Sequence, residues 1–280
     1  MTKIENRHHD TVEGFGDEWH RYDQSSLSQV ELADLFERYF GIFPWTTLDP
    51  QAVGFDMGCG SGRWAKLVAP RVGKLYCVDP SSAIEVAKKN LAEFSNCEFV
   101  NAGVGDIVFP LKSMDFGYSL GVLHHVPDTR AGLMECIGYL KPGAPFLVYL
   151  YYRFDNRSAL YRTIWRASEL IRSVVSRLPH GARYLVSNLI ALTVYYPIAR
   201  FGWLLGKLKV PKNILAQLPL ATYQDLSFYT MRTDALDRFG TQLEQRFTKD
   251  EIRTMLTDGG LENVQFSDQT PYWCAVGYKK

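Results

Sequence analysis

The chain reads as an α/β protein: a doubly wound, mostly parallel seven-stranded sheet ending in an antiparallel hairpin, with a helical insertion after the fifth strand. Three observations predict this. Short apolar runs alternate with helical stretches between residues 52 and 151, and strands alternating with helices imply parallel pairing through right-handed crossovers. Gly58, Gly60 and Gly62 stand where the first run meets the first helical stretch, and glycine lets the chain turn tightly there. Near the end, apolar runs over 261–267 and 272–277 are separated by residues 268–271, a link short enough for a hairpin.

The elements follow in order. Phe15, Trp19 and Tyr22 lie in an aromatic-rich opening segment without clear periodicity. Ser28 and Glu31 form a capping box, and Leu32, Leu35, Phe36 and Tyr39 follow at helical spacing, which predicts a helix from Gln29 to Phe40 stopped by Gly41 and Pro44. Strands are predicted over 52–57, 75–79, 97–101, 116–120 and 145–151, with helices over 62–70, 81–94 and 128–140. The alternation then breaks. Within 157–178, Leu160, Ile164, Ala167, Ile171, Val174 and Leu178 share one helical face, while Arg162, Arg166, Glu169 and Arg177 share the other. Residues 184–196 are almost wholly apolar, and Pro197 should kink or end that helix. A polar loop over 222–233 leads back to the core. Thr248 and Glu251 form a second capping box, and Gly259 and Gly260 suit the helix end. The division expected is a cover and helix at 1–45, a core of 46–151 and 234–280, and a basic, aromatic-rich helical lid at 152–233.

A chain of 280 residues, 46% hydrophobic and 22% charged, has material for a full core. The first ten residues lack the apolar stretch of a secretory signal. Cys59, Cys77, Cys97, Cys136 and Cys274 are odd in number and scattered, with neither a C-x-x-C pair nor zinc-like spacing, so no metal site and a reducing cytoplasm are the plain expectation. The net charge of +1 hides a segregation: residues 151–220 hold eleven basic and two acidic side chains, a net +9, leaving −8 on the remainder. Such asymmetry bears on partners rather than fold.

Asp56, Gly58, Gly60 and Gly62 occupy a strand-to-helix turn whose glycines let a ligand approach main-chain N–H groups. The spacing lacks the longer gap of the dinucleotide fingerprint, which favours a smaller ligand without a pyrophosphate. Asp79 closes the second strand, suited to accept hydrogen bonds from both hydroxyls of a ribose; capping the helix that starts near Ser81 is the plainer role, and the two are compatible. His124 and His125 follow the fourth strand at the carboxyl edge of the sheet, where ligands bind in such folds. An imidazole of ordinary pKa about 6.5 is suited to take a proton from an acceptor hydroxyl. The bland alternative packs one histidine against Asp128 and makes the other a neutral pocket wall.

These residues resemble the class I S-adenosylmethionine-dependent methyltransferase family, in its small-molecule and quinone-pathway branch. Asp56 to Gly62 matches the first motif, D-x-G-C-G-x-G, without gaps. Asp79 matches the acidic residue after the second strand. Gly105, Asp106 and Ile107 resemble the segment whose aspartate meets the adenine amino group. Residues 114–126, through Leu120, Gly121, His124 and His125, resemble the fourth-strand motif, and Leu140 to Gly143 its L-x-P-G-G turn, with Ala144 in place of the second glycine. The resemblance covers residues 51–151 and the terminal hairpin. It implies S-adenosylmethionine as cofactor, bound by Asp56, Met57, Gly58, Cys59, Gly60, Asp79, Pro80, Ser81, Gly105, Asp106, Ile107, Leu120 and Gly121. Gly58 and Gly60 are expected against the methionine part, Asp79 on the ribose, and Asp106 on the adenine, flanked by Pro80 and Ile107. The reaction implied is in-line displacement at the sulfonium methyl, in which positioning and a dry pocket are the enzyme's main contributions.

Trp19, His20, Tyr22 and Tyr152 are the candidate acceptor-side residues; Phe15, Trp19 and Tyr22 read either as a cover or as a short helix packed on the core. Two readings compete for the insertion: a lid lined by residues such as Ile164, Trp165 and Trp203, or a basic face meeting anionic lipid or a phosphate-bearing acceptor. Residues 185–205 approach the length of a membrane span, but Asn188, Pro197 and Arg200 interrupt them, which favours a buried, kinked lid helix. Nucleic acid is disfavoured, because the Asn/Asp-Pro-Pro-aromatic motif of base-modifying relatives is absent after the fourth strand. The expectation is a methyltransferase acting at oxygen on an apolar or lipid-linked small molecule. The alternatives are C- or N-methylation of a quinone or natural product, or a membrane-associated binding module. Intact Asp56, Asp79 and Asp106 argue against the last. Oligomeric state is left open.

Overall fold

The computed structural model describes residues 6–107, 109–215 and 217–280. Its sheet contains β1 (Val53–Met57), β2 (Lys74–Val78), β3 (Cys97–Val100), β4 (Phe116–Leu120), β5 (Pro145–Tyr149), β6 (Leu261–Phe266) and β7 (Ala275–Lys279), in the order β3-β2-β1-β4-β5-β7-β6. β1 to β5 pair in parallel, and β7 runs antiparallel to both β5 and β6. The seven-stranded, mostly parallel sheet with its terminal hairpin is therefore as expected. Strand order reverses between β1 and β4, and in open α/β sheets ligands bind outside the carboxyl ends of strands at such a switch point.

The helices are α1 (His9–Arg21), α2 (Gln29–Phe40), α3 (Ala65–Val68), α4 (Ala83–Asn90), α5 (Thr129–Tyr139), α6 (Ala159–Val175), α7 (His180–Ile190), α8 (Tyr196–Lys207), α9 (Lys212–Leu215), α10 (Phe228–Gly240) and α11 (Lys249–Asp258). Two compact units emerge: residues 6–24 with Ala33–Arg153 and Leu243–Lys280, and Ser25–Leu32 with Phe154–Gln242.

In the first unit the central strands are buried on both faces, as parallel strands covered by helices must be; all five residues of β4 are buried. β1 and β4 lock through reciprocal ring-on-glycine packing. A Cβ on Gly54 would lie 2.3 Å from the Phe116 ring, and one on Gly117 would lie 2.3 Å from the Phe55 ring. Several element ends differ from expectation. α3 is a single turn rather than 62–70, because the glycine loop extends to Gly62 (φ +77°) and Pro70 follows closely. The hairpin link is longer than four residues. Trp273 and Cys274 belong to it rather than to a strand, held by hydrogen bonds from Cys274 N to the Pro271 carbonyl and from Ser267 N to the Cys274 carbonyl. Their apolar character comes from burial in a connection, with the Trp273 ring beside Tyr152 and Lys249. The second capping box forms in full at α11.

The second unit packs Val175, Ala191, Tyr195, Ala199, Met231, Ala235 and Phe239 into its own small core. The expected polar loop over 222–233 is replaced in large part by α10, whose N-cap Ser227 accepts from Thr230 N. The Ser28 hydroxyl accepts from Glu31 N, but the Glu31 carboxylate does not complete that box. One oxygen of Glu31 instead accepts from Ser227 N, Ser227 Oγ and Thr230 Oγ1 at 2.7–3.1 Å, anchoring the start of α10. Pro197 does not end the apolar helix. A π-helical turn over Ala191–Tyr195 precedes it, and such a turn absorbs the hydrogen bond that proline cannot make. Residues His180–Lys207 thus form one helix of 28 residues.

Candidate active site

The glycine loop leaves β1 in left-handed conformations: φ is +82° at Gly58 and +53° at Gly60. A side chain at Gly58 would meet Val122 at 2.4 Å, and one at Gly60 would meet the Trp19 indole nitrogen at 2.9 Å. Both the backbone conformation and the close neighbours therefore require glycine here. The loop is tied to β2 by hydrogen bonds from Gly58 N and Cys59 N to the Val78 carbonyl.

Asp79 organises the adjoining turn. Its Oδ2 accepts from Gly60 N at 2.9 Å, and its Oδ1 accepts from Ser81 N at 2.8 Å and Ser81 Oγ at 2.6 Å. Burial raises its pKa, while the Ser81 and Gly60 hydrogen bonds oppose that rise. Asp56, at the end of β1, is fully buried, and burial drives its carboxyl well above the usual carboxylate range despite the Tyr118 hydroxyl beside it. Burial likewise pushes the Cys59 thiol up to about 11, so it is a packing residue rather than a nucleophile.

Gly105 (φ +91°) and Gly121 (φ +78°) have open space where a Cβ would stand. Asp79 Oδ2 keeps acceptor capacity beyond its single bond from Gly60. A ribose-bearing ligand with a small, tightly held tail thus fits the residues present. Pro80 and Ile107 sit by sequence beside Asp79 and Asp106, and Ile107 is buried. Asp106 is exposed and engaged by the N-terminal segment: Arg7 Nη2 lies 2.7 Å from its Oδ2.

That segment leads into α1, the short helix that is one of the two readings of Phe15, Trp19 and Tyr22. Gly16 packs on Ser82 of the turn before α4, Trp19 lies against Gly60, and the Arg63 guanidinium stands over the Trp19 ring. Asn6 fixes the approach to α1 by donating to the Asp128 carbonyl and accepting from Asp128 N, both at 2.8 Å. Trp19 and Phe15 face the site residues, whereas Tyr22 is buried in the core and His20 is exposed.

His124 and His125 lie in a short 3-10 turn after β4, both buried. Neither bonds to Asp128, which instead caps α5 by accepting from Ala131 N. His124 Nδ1 accepts from Tyr151 N at 3.4 Å, so its hydrogen resides on Nε2, and the ring stacks on Tyr151 with centroids 3.9 Å apart. Burial, then His125 and Arg246, hold its pKa well below 6.5. His125 Nδ1 lies 2.7 Å from the Leu243 carbonyl oxygen. That nitrogen must donate, leaving the Nε2 lone pair of a neutral ring as the proton acceptor. Phe15 meets the His125 ring edge-on at 5.0 Å.

Sequence reading assigned Tyr152 to the site, but the aromatic neighbour of the histidines is Tyr151. Tyr152 turns the other way, against Tyr272 and Trp273, as alternation along an extended segment requires. Also missed was the strap over 243–247. Leu243 orients His125, Gln245 N donates to the His124 carbonyl, Phe247 N donates to the Tyr151 carbonyl, and Arg246 stands over the Tyr151 ring. No motif marks this strap; only its position before the Thr248 cap hinted at structure.

Comparison with known proteins adds a family to this geometry. Residues 55–148 match the model of a methyltransferase domain. Over those residues the chain carries a methyltransferase domain. S-adenosylmethionine is the cofactor of that family. The chain is 31% identical over 146 residues to a 2-phytyl-1,4-naphtoquinone methyltransferase of Trichormus variabilis, covering 48% of this chain and 62% of the relative. It is 27% identical over 103 residues to a tRNA U34 carboxymethyltransferase of Alteromonas mediterranea, covering 33% of this chain and 30% of that one. The chain thus spans less than two thirds of either relative. An O-methyltransferase family protein from Burkholderia thailandensis superposes with a TM-score of 0.54 at 14% identity, covering 93% of this chain and 59% of the other, a likeness of fold.

Proposed function

We propose that the chain transfers the methyl group of S-adenosylmethionine to a hydroxyl oxygen on a small apolar acceptor. The observation that carries the oxygen assignment is the hydrogen bond from His125 Nδ1 to the Leu243 carbonyl, which presents Nε2 as a base. Bound cofactor supplies a methyl already activated on a sulfonium. Asp79 would hold the ribose, the glycine loop would receive the methionine part, and Asp106 would receive the adenine amino group. His125 Nε2 would take the acceptor's hydroxyl proton as that oxygen attacks the donated methyl. The Phe15 and Tyr151 rings around the histidines favour an apolar acceptor and exclude water from the attacking oxygen.

The test is transfer of labelled methyl from S-adenosylmethionine to a panel of phenols, quinols and amines. Methylated oxygen, lost in His125→Gln with cofactor binding retained, supports the reading. Transfer confined to amines sinks it. The naphthoquinone methyltransferase relative favours a second reading, C-methylation of a quinone, which the same panel separates by the position of the label.

A further inference from the structure

In the second unit, two helices are inside out. On α6 the apolar stripe of Leu160, Ile164, Ala167, Ile171 and Val174 is exposed to solvent, Leu160 at 71%. The same helix turns polar side chains inward. Glu169 pairs with both Arg172 and Arg238, and Arg172 donates to the Thr241 and Gln242 carbonyls at 2.9 and 3.1 Å. The long helix His180–Lys207 repeats the inversion. Its buried positions are Arg183, Ser187, Ala191, Tyr195, Ala199 and Gly202, while Leu185, Leu189, Leu192, Phe201 and Leu204 are 47–69% exposed. A soluble helix ordinarily buries its apolar stripe, and contiguous apolar surface of this extent marks an interaction site.

We propose that this face of the second unit docks on the surface of an anionic lipid bilayer. Charge selects this occupant. Arg162 and Arg166 are exposed on α6, and Arg177 is exposed just past its end. Lys207 and Lys209 are exposed at the end of the long helix, where Lys207 caps the Trp203 ring at 3.9 Å. A tryptophan beside a lysine at a helix end suits the headgroup level, and clustered cations around an apolar stripe suit anionic lipid. Two copies meeting through the same face would bring like charges together, which disfavours a second copy. The long helix passes the length and composition test for a membrane span, but its inner face is committed. Ala191, Tyr195 and Ala199 pack with Met231, Ala235 and Phe239, and Arg200 donates to the Gln224 and Leu226 carbonyls. Crossing a bilayer would strip these contacts, whereas lying on one keeps them.

The test is co-sedimentation of the full chain with vesicles of phosphatidylcholine alone or mixed with phosphatidylglycerol, without donor or acceptor, so that its result is independent of the methyl-transfer reading. The expected result is tight binding to the mixed vesicles, at least roughly tenfold weaker on neutral vesicles or in high salt. Ile164→Ser/Ile171→Ser/Leu204→Ser should lose binding to the mixed vesicles with an unchanged circular dichroism melt. Arg162→Gln/Arg166→Gln/Arg177→Gln should erode the preference for anionic lipid. Equal pelleting of wild type and the serine variant overturns the proposal. So does failure of the wild type to pellet, resistance of the bound chain to alkaline carbonate, or a lipid-free oligomer that the serine variant dissociates.

Discussion

Tyr151 makes two contacts with His124: its ring stacks on the imidazole at 3.9 Å, and its backbone N–H points at Nδ1. The N–H contact requires a neutral ring, because a protonated imidazole has no acceptor nitrogen left for it. Burial pushes the pKa the same way, with His125 and Arg246 adding repulsion.

A pH dependence follows. The folded pKa of His124 lies below its unfolded value of about 6.5, so below that pH the unfolded chain binds a proton that the folded chain refuses. Stability from this residue is therefore present above about pH 6.5 and declines as pH falls, by up to about 1.4 kcal/mol per pH unit. Denaturant titrations of wild type and His124→Asn between about pH 5 and pH 8 check it. The variant should show a shallower loss toward acid. Parallel curves would mean that His124 titrates normally.

Gly58 offers a steric test of the loop. An alanine there combines a left-handed φ of +82° with a Cβ 2.4 Å from Val122, and Val122 is too short and stiff to swing away. Strain and overpacking together should cost about 2–5 kcal/mol. Gly181, which has open space at its Cβ position in α7, is the control: alanine there should be neutral or stabilising by up to about 1 kcal/mol. Thermal melts of Gly58→Ala and Gly181→Ala should shift in opposite senses or by very different amounts. Similar small shifts for both would refute the close packing of Gly58 on Val122.

What the sequence disclosed and concealed follows from the range of the interactions. The glycine loop, Asp79 at the end of β2 and the Thr248 cap were legible because each depends on residues a few positions apart. Tyr151 was missed in favour of Tyr152 because the face a side chain takes depends on strand phase, and the expected strand ran two residues past Tyr149. The Arg7–Asp106 and His125–Leu243 contacts span 99 and 118 residues, a separation at which spacing carries no signal. The stripe on α6 was visible as a period, but period alone does not say which side faces water. Its inward Glu169, Arg172 and Arg238 network settles that only in three dimensions.

Glu31 shows how a local motif can be redirected by distant partners. Its Oε1 accepts three hydrogen bonds from Ser227 and Thr230 at the start of α10, the work expected of an N-cap acceptor. Glu31→Ala leaves the Ser227 and Thr230 donors short of an acceptor and should destabilise the chain by about 1–3 kcal/mol. Glu31→Gln, which keeps one acceptor oxygen, should recover part of that. Hydrogen exchange should locate the loss in the first turn of α10. Uniform loss across the sheet strands instead would argue against this anchoring role.

Asp106 is claimed by Arg7 and, in the proposed function, by the adenine amino group. Arg7 reaches Oδ2 only, at 2.7 Å, so Oδ1 remains available to a second donor. Both side chains are about a third exposed, and a pair so solvated contributes at most about 1 kcal/mol. Asn6 holds the same segment independently through its two bonds to Asp128. Arg7→Ala should therefore change the dissociation constant for S-adenosylmethionine by no more than about threefold, equivalent to roughly 0.7 kcal/mol. Asp106→Ala removes a charged acceptor from the adenine and should weaken binding roughly tenfold or more. Calorimetric titration of the two variants separates the roles. If Arg7→Ala weakens binding as much as Asp106→Ala, Asp106 acts by holding the N-terminal segment in place rather than by receiving the adenine.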